Sequence, residues 1–286
     1  MIASPMCLPC IFGQVYSAAK MVGANDEKTT EMLVEAARLL STMNLKRSPA
    51  EISFDCLKRV YGILGDEDPF ARVKREQNER VLGHYDELAR RVRESGDPLK
   101  TAMLLAIAGN IIDSGIGRDY DFENTVRAVL ERDFACDDTP QFLELMKRSS
   151  NLLYLLDNSG EVVVDRLLIE QFSGVDVTCV VRRSPIINDV TAEDARNVGM
   201  ERVARLIDPG IDALGVPLKD CSPEFQKTFR DADIIISKGQ ANFETLDEYS
   251  HREEFRGRLF FLTLAKCQCV ADIFGVKEGE AVFKQA

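Results

Sequence analysis

Apolar positions change period partway along this chain. Up to about residue 150 they recur at helical spacing. Residues 25–40 place Met32, Leu33, Ala36, Ala37 and Leu40 on one face of a charged segment, which predicts an amphipathic helix. Ser48-Pro49 supplies a cap residue and a first-turn proline for the next helix, and a long charged helical pattern follows over residues 69–93. The segment "DPLKTAMLLAIAGNIID" is apolar on nearly every side, which predicts a helix buried at the centre of the helical half. Two further helical patterns, "DFENTVRAVLERDF" and "TPQFLELMKRSS", complete an expected all-helical domain over residues 1–150.

Beyond that point the pattern becomes short, continuous apolar runs separated by amphipathic segments. The runs are "LLYLL", "VTCVV", "VARLI", "DIIIS" and "LFFLTLA". Continuous rather than alternating apolar strands, each followed by a helix, are the mark of a mainly parallel sheet covered on both faces. Residues 151–286 are therefore expected to form an α/β domain, a doubly wound α/β/α sandwich. Ser222-Pro223 and the pair Thr191 and Asp194 read as helix starts within it.

Each run ends on a polar or charged residue: Asp157 and Asn158, Arg182, Asp208, Lys238 and Lys266. Open parallel sheets bind ligands beyond the carboxyl ends of their strands, so these residues are candidates for one crevice. Strands also end at surfaces, where polar residues are ordinary. Asp157-Asn158 offers a carboxylate and an amide carbonyl, hard oxygen ligands of the kind Mg²⁺ and Mn²⁺ take. Ser159-Gly160 then turns into a helix whose free N–H groups favour an anion. Asp189, in the loop after the next strand, is placed to complete the set.

Composition narrows the chemistry. The chain has 286 residues, 45% of them hydrophobic, and a formal charge of −11. That acidity argues against a nucleic-acid backbone as partner, while a metal cation or a small anion in a local basic pocket fits. No apolar run is long enough to span a bilayer, and the start lacks the basic and apolar regions of a signal peptide, so a soluble cytoplasmic protein is expected without a membrane partner. Nothing in the sequence specifies an oligomeric state. Glycine-rich nucleotide fingerprints and a Gly-x-Ser-x-Gly elbow are missing, and His84 and His251 are the only histidines. Eight cysteines in this setting read as reduced thiols. Cys7 and Cys10 in "CLPC", with Cys267 and Cys269 in "KCQC", would form a second, thiolate metal site if the two chain segments meet.

The motifs "GNIID" (109–113), "LDNSGE" (156–161), "SPIINDVT" (184–191), "SKGQANFETL" (237–246) and "LAKC" (264–267), in this order, resemble the DUF89 family of metal-dependent damage-control phosphatases. "CLPC" resembles the Cys-x-x-Cys of its mainly prokaryotic branch. The resemblance implies a helical domain packed on an α/β/α sandwich and hydrolysis of small phosphorylated metabolites, such as sugar phosphates or phosphopantetheine-like compounds, with Mn²⁺, Mg²⁺, Co²⁺ or Ni²⁺. It implies that Asp157, Asn158 and Asp189 bind the metal and that Lys266 contacts the phosphate, with Asn110, Asp113, Lys238 and Asn242 lining the pocket. Lys238 and Lys266 are expected to face the charge that builds on the transferring phosphoryl group; Asp113 is either a catalytic group that steers water or protonates the leaving group or a buried partner at a helix end, and Asp157 is catalytic either as ligand, the preferred reading, or as the nucleophile. Two other readings stand beside it. The sheet could host S-adenosylmethionine-dependent methyl transfer, although no glycine-rich turn follows the first strand, and the cysteines could make a non-catalytic thiol-metal module.

Overall fold

The computed structural model describes residues 1–113 and 122–286, with side chains throughout except at 108–113, 122, 123 and 125. It begins with helices α1 (Cys7–Met21), α2 (Asp26–Thr42) and α3 (Pro49–Leu64). Ser48 and Glu51 close a full capping box on α3 with Pro49 in the first turn, so the start read from sequence is realised in both its parts. The long charged pattern is two helices rather than one, α4 (Ala71–Leu82) and α5 (Tyr85–Glu94). The break falls at Gly83-His84, where glycine closes one helix and His84 caps the next. Helices α6 (Pro98–Asp113) and α7 (Phe122–Leu130) follow.

A strand then interrupts the region read as all-helical. Strand β1 (Phe134–Asp137) precedes α8 (Thr139–Met146). The five anticipated strands come next: β2 (Asn151–Leu155), β3 (Asp176–Val180), β4 (Arg205–Ile207), β5 (Ile234–Lys238) and β6 (Leu259–Leu264). They are interleaved with α9 (Glu161–Ile169), α10 (Ala192–Asn197), α11 (Pro223–Asp231), α12 (Gln240–Ser250) and α13 (Gln268–Phe274). A last strand, β7 (Ala281–Gln285), pairs antiparallel with β6 and parallel with β1. The apolar pattern announces neither β1, at the edge of the sheet, nor β7 beside it.

The sheet runs β1-β7-β6-β5-β2-β3-β4, with β4, β3, β2, β5 and β6 mutually parallel. Both faces are apolar, as continuous strand hydrophobicity requires. Leu152 and Tyr154 of β2, Ile234 and Ile236 of β5, and Phe260 and Leu262 of β6 join one core with α4 to α9. The alternate residues Leu153, Leu155, Ile235, Leu259 and Phe261 join a second core with α11 to α13. The first core takes in residues from both sides of position 150, whereas α1 to α3 build a core of their own that Ile186 and Leu214 enter from the sandwich. Within α6, residues 102–107 are buried, as an all-round apolar helix demands. No helix among the described residues is long and apolar enough to cross a membrane.

The chain leaves β2 toward β3 and β4, then crosses back to β5 and β6 on the other side of β2. Strand order therefore reverses between β2 and β5, and the crevice beyond their carboxyl ends is the position where such sheets bind ligands.

Candidate active site

Asp157 and Asn158 leave β2 at that crevice, and the loop carrying Asp189 is sewn to them by main-chain hydrogen bonds. Val190 N donates to Asp157 O at 2.9 Å and Ser159 N to Asn188 O at 2.8 Å, so Asn158 and Asp189 face each other as an antiparallel bridge. Gly160, at φ 77°, opens α9, and its N–H is taken by Asn78 Oδ1 of α4 at 2.7 Å. On the β5 side Gly239 has φ 77°, and a Cβ there would lie 1.9 Å from Asp157 Oδ2. Only glycine lets the turn after β5 come this close to the carboxylate.

Charge inside the site is unbalanced. Asp157, Glu161, Asp165 and Asp189 are all buried, against two buried cations that touch them, Arg182 and Lys238. Arg182 donates from Nε to Asp189 Oδ2 at 2.6 Å and from Nη1 to the Gly215 carbonyl at 3.0 Å, with Nη2 4.0 Å from Asp157 Oδ1. Asn158 Nδ2 donates to Asp157 Oδ2 at 2.8 Å and to Glu161 Oε1 at 3.1 Å, so both amide protons are used and the amide oxygen is the atom left to accept. Burial, reinforced by Glu161 and Asp189, raises the Asp157 carboxyl to about 8 despite the opposing Lys266 and Arg182 charges. Burial likewise raises Asp189, against the pull of Arg182. With all four carboxylates ionised, the two buried cations would leave two negative charges unmatched, the charge that a divalent ion carries; without such an ion the raised carboxyls hold protons instead. The donors present, carboxylate and amide oxygen, are of the hard type that Mg²⁺ and Mn²⁺ accept. Among the described residues no group of three or more His, Cys, Asp or Glu side chains is arranged to hold a metal, so the candidate set relies on the Asn158 amide.

A cavity of about 350 Å³ opens over these residues, lined at one end by Asp157, Asn158, Asp189 and Lys266. Lys266 is exposed, and its charge reaches Asp157 and Asp189. The other walls are Met6, Ile11, Pro49 and Leu214, together with Cys7, Cys10, Cys267 and Cys269. The two chain segments with paired cysteines do meet: Ser4 Oγ lies 3.6 Å from Cys7 Sγ and 3.2 Å from Cys269 Sγ. The thiols line the cavity without converging into the ligand group that the sequence raised as a second metal site.

Two residues expected to line the pocket are buried beneath it. Lys238, expected to face phosphate, is 1% exposed and donates to Asp165 Oδ1 at 2.9 Å, Glu161 Oε2 at 3.1 Å and the Ala106 carbonyl at 3.0 Å. Burial alone would depress its ammonium, but Asp165 and Glu161 outweigh burial and raise it. All three of its protons are committed, which anchors α6 and α9 to β5. Asn242 is also fully buried and donates to the carbonyls of Leu156 and Lys238, which fixes the ends of β2 and β5 side by side. Asn110 and Asp113 lie in α6, and their side chains fall outside the described residues. Sequence reasoning missed Glu161 as a member of the charge cluster, although its place in "LDNSGE", three residues beyond Asn158 at the start of a helix, was a usable signal. It also missed the pairing of Arg182 with Asp189.

An acid-rich crevice at the switch point of a doubly wound sheet, with an amide and an exposed lysine lining it, is where α/β enzymes of this architecture bind small ligands. Comparison with known proteins gives the family. The sequence model of the "Damage-control phosphatase ARMT1-like domain" matches residues 3–282, and the chain belongs to that family. A damage-control phosphatase of Pyrococcus horikoshii is 35% identical over 281 residues, 96% of this chain and 95% of the relative. Another from Archaeoglobus fulgidus is 35% identical over 291 residues, 98% of each. The crystal structure of a DUF89 family protein from Pyrococcus horikoshii superposes with a TM-score of 0.89 at 34% identity, covering 100% of this chain and 99% of that one. The protein is accordingly a phosphatase, with the α/β architecture its apolar pattern implied.

Proposed function

We propose that this phosphatase hydrolyses small phosphomonoesters at the Asp157 crevice with a divalent metal held by Asp157, Asn158 and Asp189. The observation that carries the reading is the deficit of two positive charges among the buried groups around Asp157. Held by these three residues, a divalent cation would supply positive charge for a phosphoryl oxygen and lower the pKa of a bound water. Asp157 acts as ligand. Lys266, exposed at the cavity rim, binds a phosphoryl oxygen and stabilises the charge that gathers there as the bond to the leaving group breaks. Arg182 and Lys238 do not touch substrate: Arg182 orients Asp189, and Lys238 holds Glu161 and Asp165. A volume of about 350 Å³ suits a metabolite of modest size, such as a sugar phosphate or a phosphopantetheine-like compound.

The test is phosphate release from a panel of sugar phosphates, nucleotides and phosphopantetheine, each with Mn²⁺, Mg²⁺, Co²⁺, Ni²⁺ or chelator, for the wild type and Asp157→Ala. Release that requires metal and is lost in the folded variant supports the assignment. Chelator-resistant turnover, or full activity in Asp157→Ala, refutes it.

A further inference from the structure

Among the described residues, one that is not glycine has a positive φ: Ile187, at 39°. It is the second residue of a turn closed by Asp189 N donating to Ile186 O at 3.1 Å. A positive φ at this turn position favours glycine, asparagine or aspartate, and a β-branched side chain is among the worst choices for it. Strain of this kind persists only where the surroundings hold it. Two restraints are visible. Ile186 is fully buried in the core of α1 to α3. The Ile187 N–H is donated to the Tyr61 hydroxyl of α3 at 2.9 Å. Tyr61 is itself buried, and burial raises its phenol above the ordinary range, so the neutral hydroxyl persists at any working pH.

The strained residue sits where its conformation matters. Immediately after it, Asn188 O receives Ser159 N, Asp189 offers its carboxylate, and Val190 N donates to Asp157 O. We propose that Tyr61 is a positioning residue for the metal ligands: its hydroxyl pins the left-handed backbone of Ile187 and so sets the register of Asp189 against Asp157 and Asn158. This rests on the metal site assigned above. It gives α1 to α3, which contribute none of the ligands, a defined part in building the site.

The experiment is a double-mutant cycle with Tyr61→Phe and Ile187→Gly, read by calorimetric titration of Mn²⁺ and by hydrogen exchange of the 186–190 amides in metal-free protein. Tyr61→Phe is expected to weaken Mn²⁺ binding about 5- to 10-fold, the range for one lost hydrogen bond, and to speed exchange in the turn. kcat at saturating Mn²⁺ should change less than about twofold, because the reacting groups remain in place once the ion is bound. Glycine adopts a positive φ without help, so in the Ile187→Gly background Tyr61→Phe should cost little further. Additive losses across the cycle, or a Tyr61→Phe turn that exchanges like the wild type, would overturn the proposal. If the wild-type protein binds no Mn²⁺, the metal assignment fails, and the exchange data still decide whether Tyr61 holds the turn.

Discussion

Replacing Asp157 with asparagine should make the metal-free protein more stable while removing its metal response. In the fold the carboxyl is raised to about 8, against an ordinary value of 3.8. At pH 7 the folded protein therefore holds a proton that the unfolded chain has released. Across roughly three pH units, at about 1.4 kcal/mol each, that costs on the order of 4 kcal/mol. Asparagine carries no charge and needs no proton. Its carbonyl can still accept the Asn158 Nδ2 bond seen at 2.8 Å, but its NH₂ faces Arg182 where a carboxyl oxygen lay 4.0 Å from Nη2. That loss returns about 1 to 2 kcal/mol. The net gain of about 2 to 3 kcal/mol corresponds to roughly 4 to 6 °C in a chain of this size. The assay is calorimetric melting at pH 7 with chelator, repeated with Mn²⁺. A metal-free melting temperature at or below that of the wild type would refute the account of Asp157 as a carboxylate short of a cation. So would an Mn²⁺ shift as large in the variant as in the wild type.

Four other outcomes follow from the same geometry. A raised carboxyl leaves stability intact below its unfolded value near 3.8 and erodes it as pH climbs through about 8, so the melting advantage of Asp157→Asn should reach its plateau above pH 8 and give way, near pH 4, to the small deficit left by the lost Arg182 contact; a constant difference would contradict it. Lys266→Ala should lower kcat/KM by about a hundredfold or more with little change in melting, since the side chain is exposed, and a stability loss comparable with that of a core substitution would argue for a structural role instead. Gly239→Ala should cost at least about 2 kcal/mol and displace Asp157, because its Cβ would fall 1.9 Å from the carboxylate at φ 77°; unchanged Mn²⁺ affinity would show that the approach is not required. Alkylation of Cys10, exposed at the cavity wall, should block turnover and be slowed by bound substrate. Because burial and then Glu244 raise this thiol, its alkylation should accelerate as pH rises above neutrality, and a pH-independent rate would count against that environment.

The sequence carried the sheet and the ligand candidates because both are written in local pattern. Continuous apolar runs mark strands buried on both faces, and β2 to β6 lie where those runs fall. Strands β1 and β7 escaped because "FACD" and "AVFKQ" mix polar with apolar residues and so lack the continuous apolar run by which the other strands were read. The rule that polar residues at strand ends gather at the crevice held for Asp157 and Asn158. It misjudged Lys238, since a strand end can also point sideways under a neighbouring helix, and here Glu161 and Asp165 of α9 wait for it. Local pattern says where a charged residue enters the fold, but not which opposite charge arrives from elsewhere in the chain. That second fact decides function here. A lysine whose three protons are committed holds α6 and α9 to the sheet, whereas Lys266, exposed and within electrostatic reach of two buried carboxylates, is the cation that the proposed reaction assigns to the phosphate.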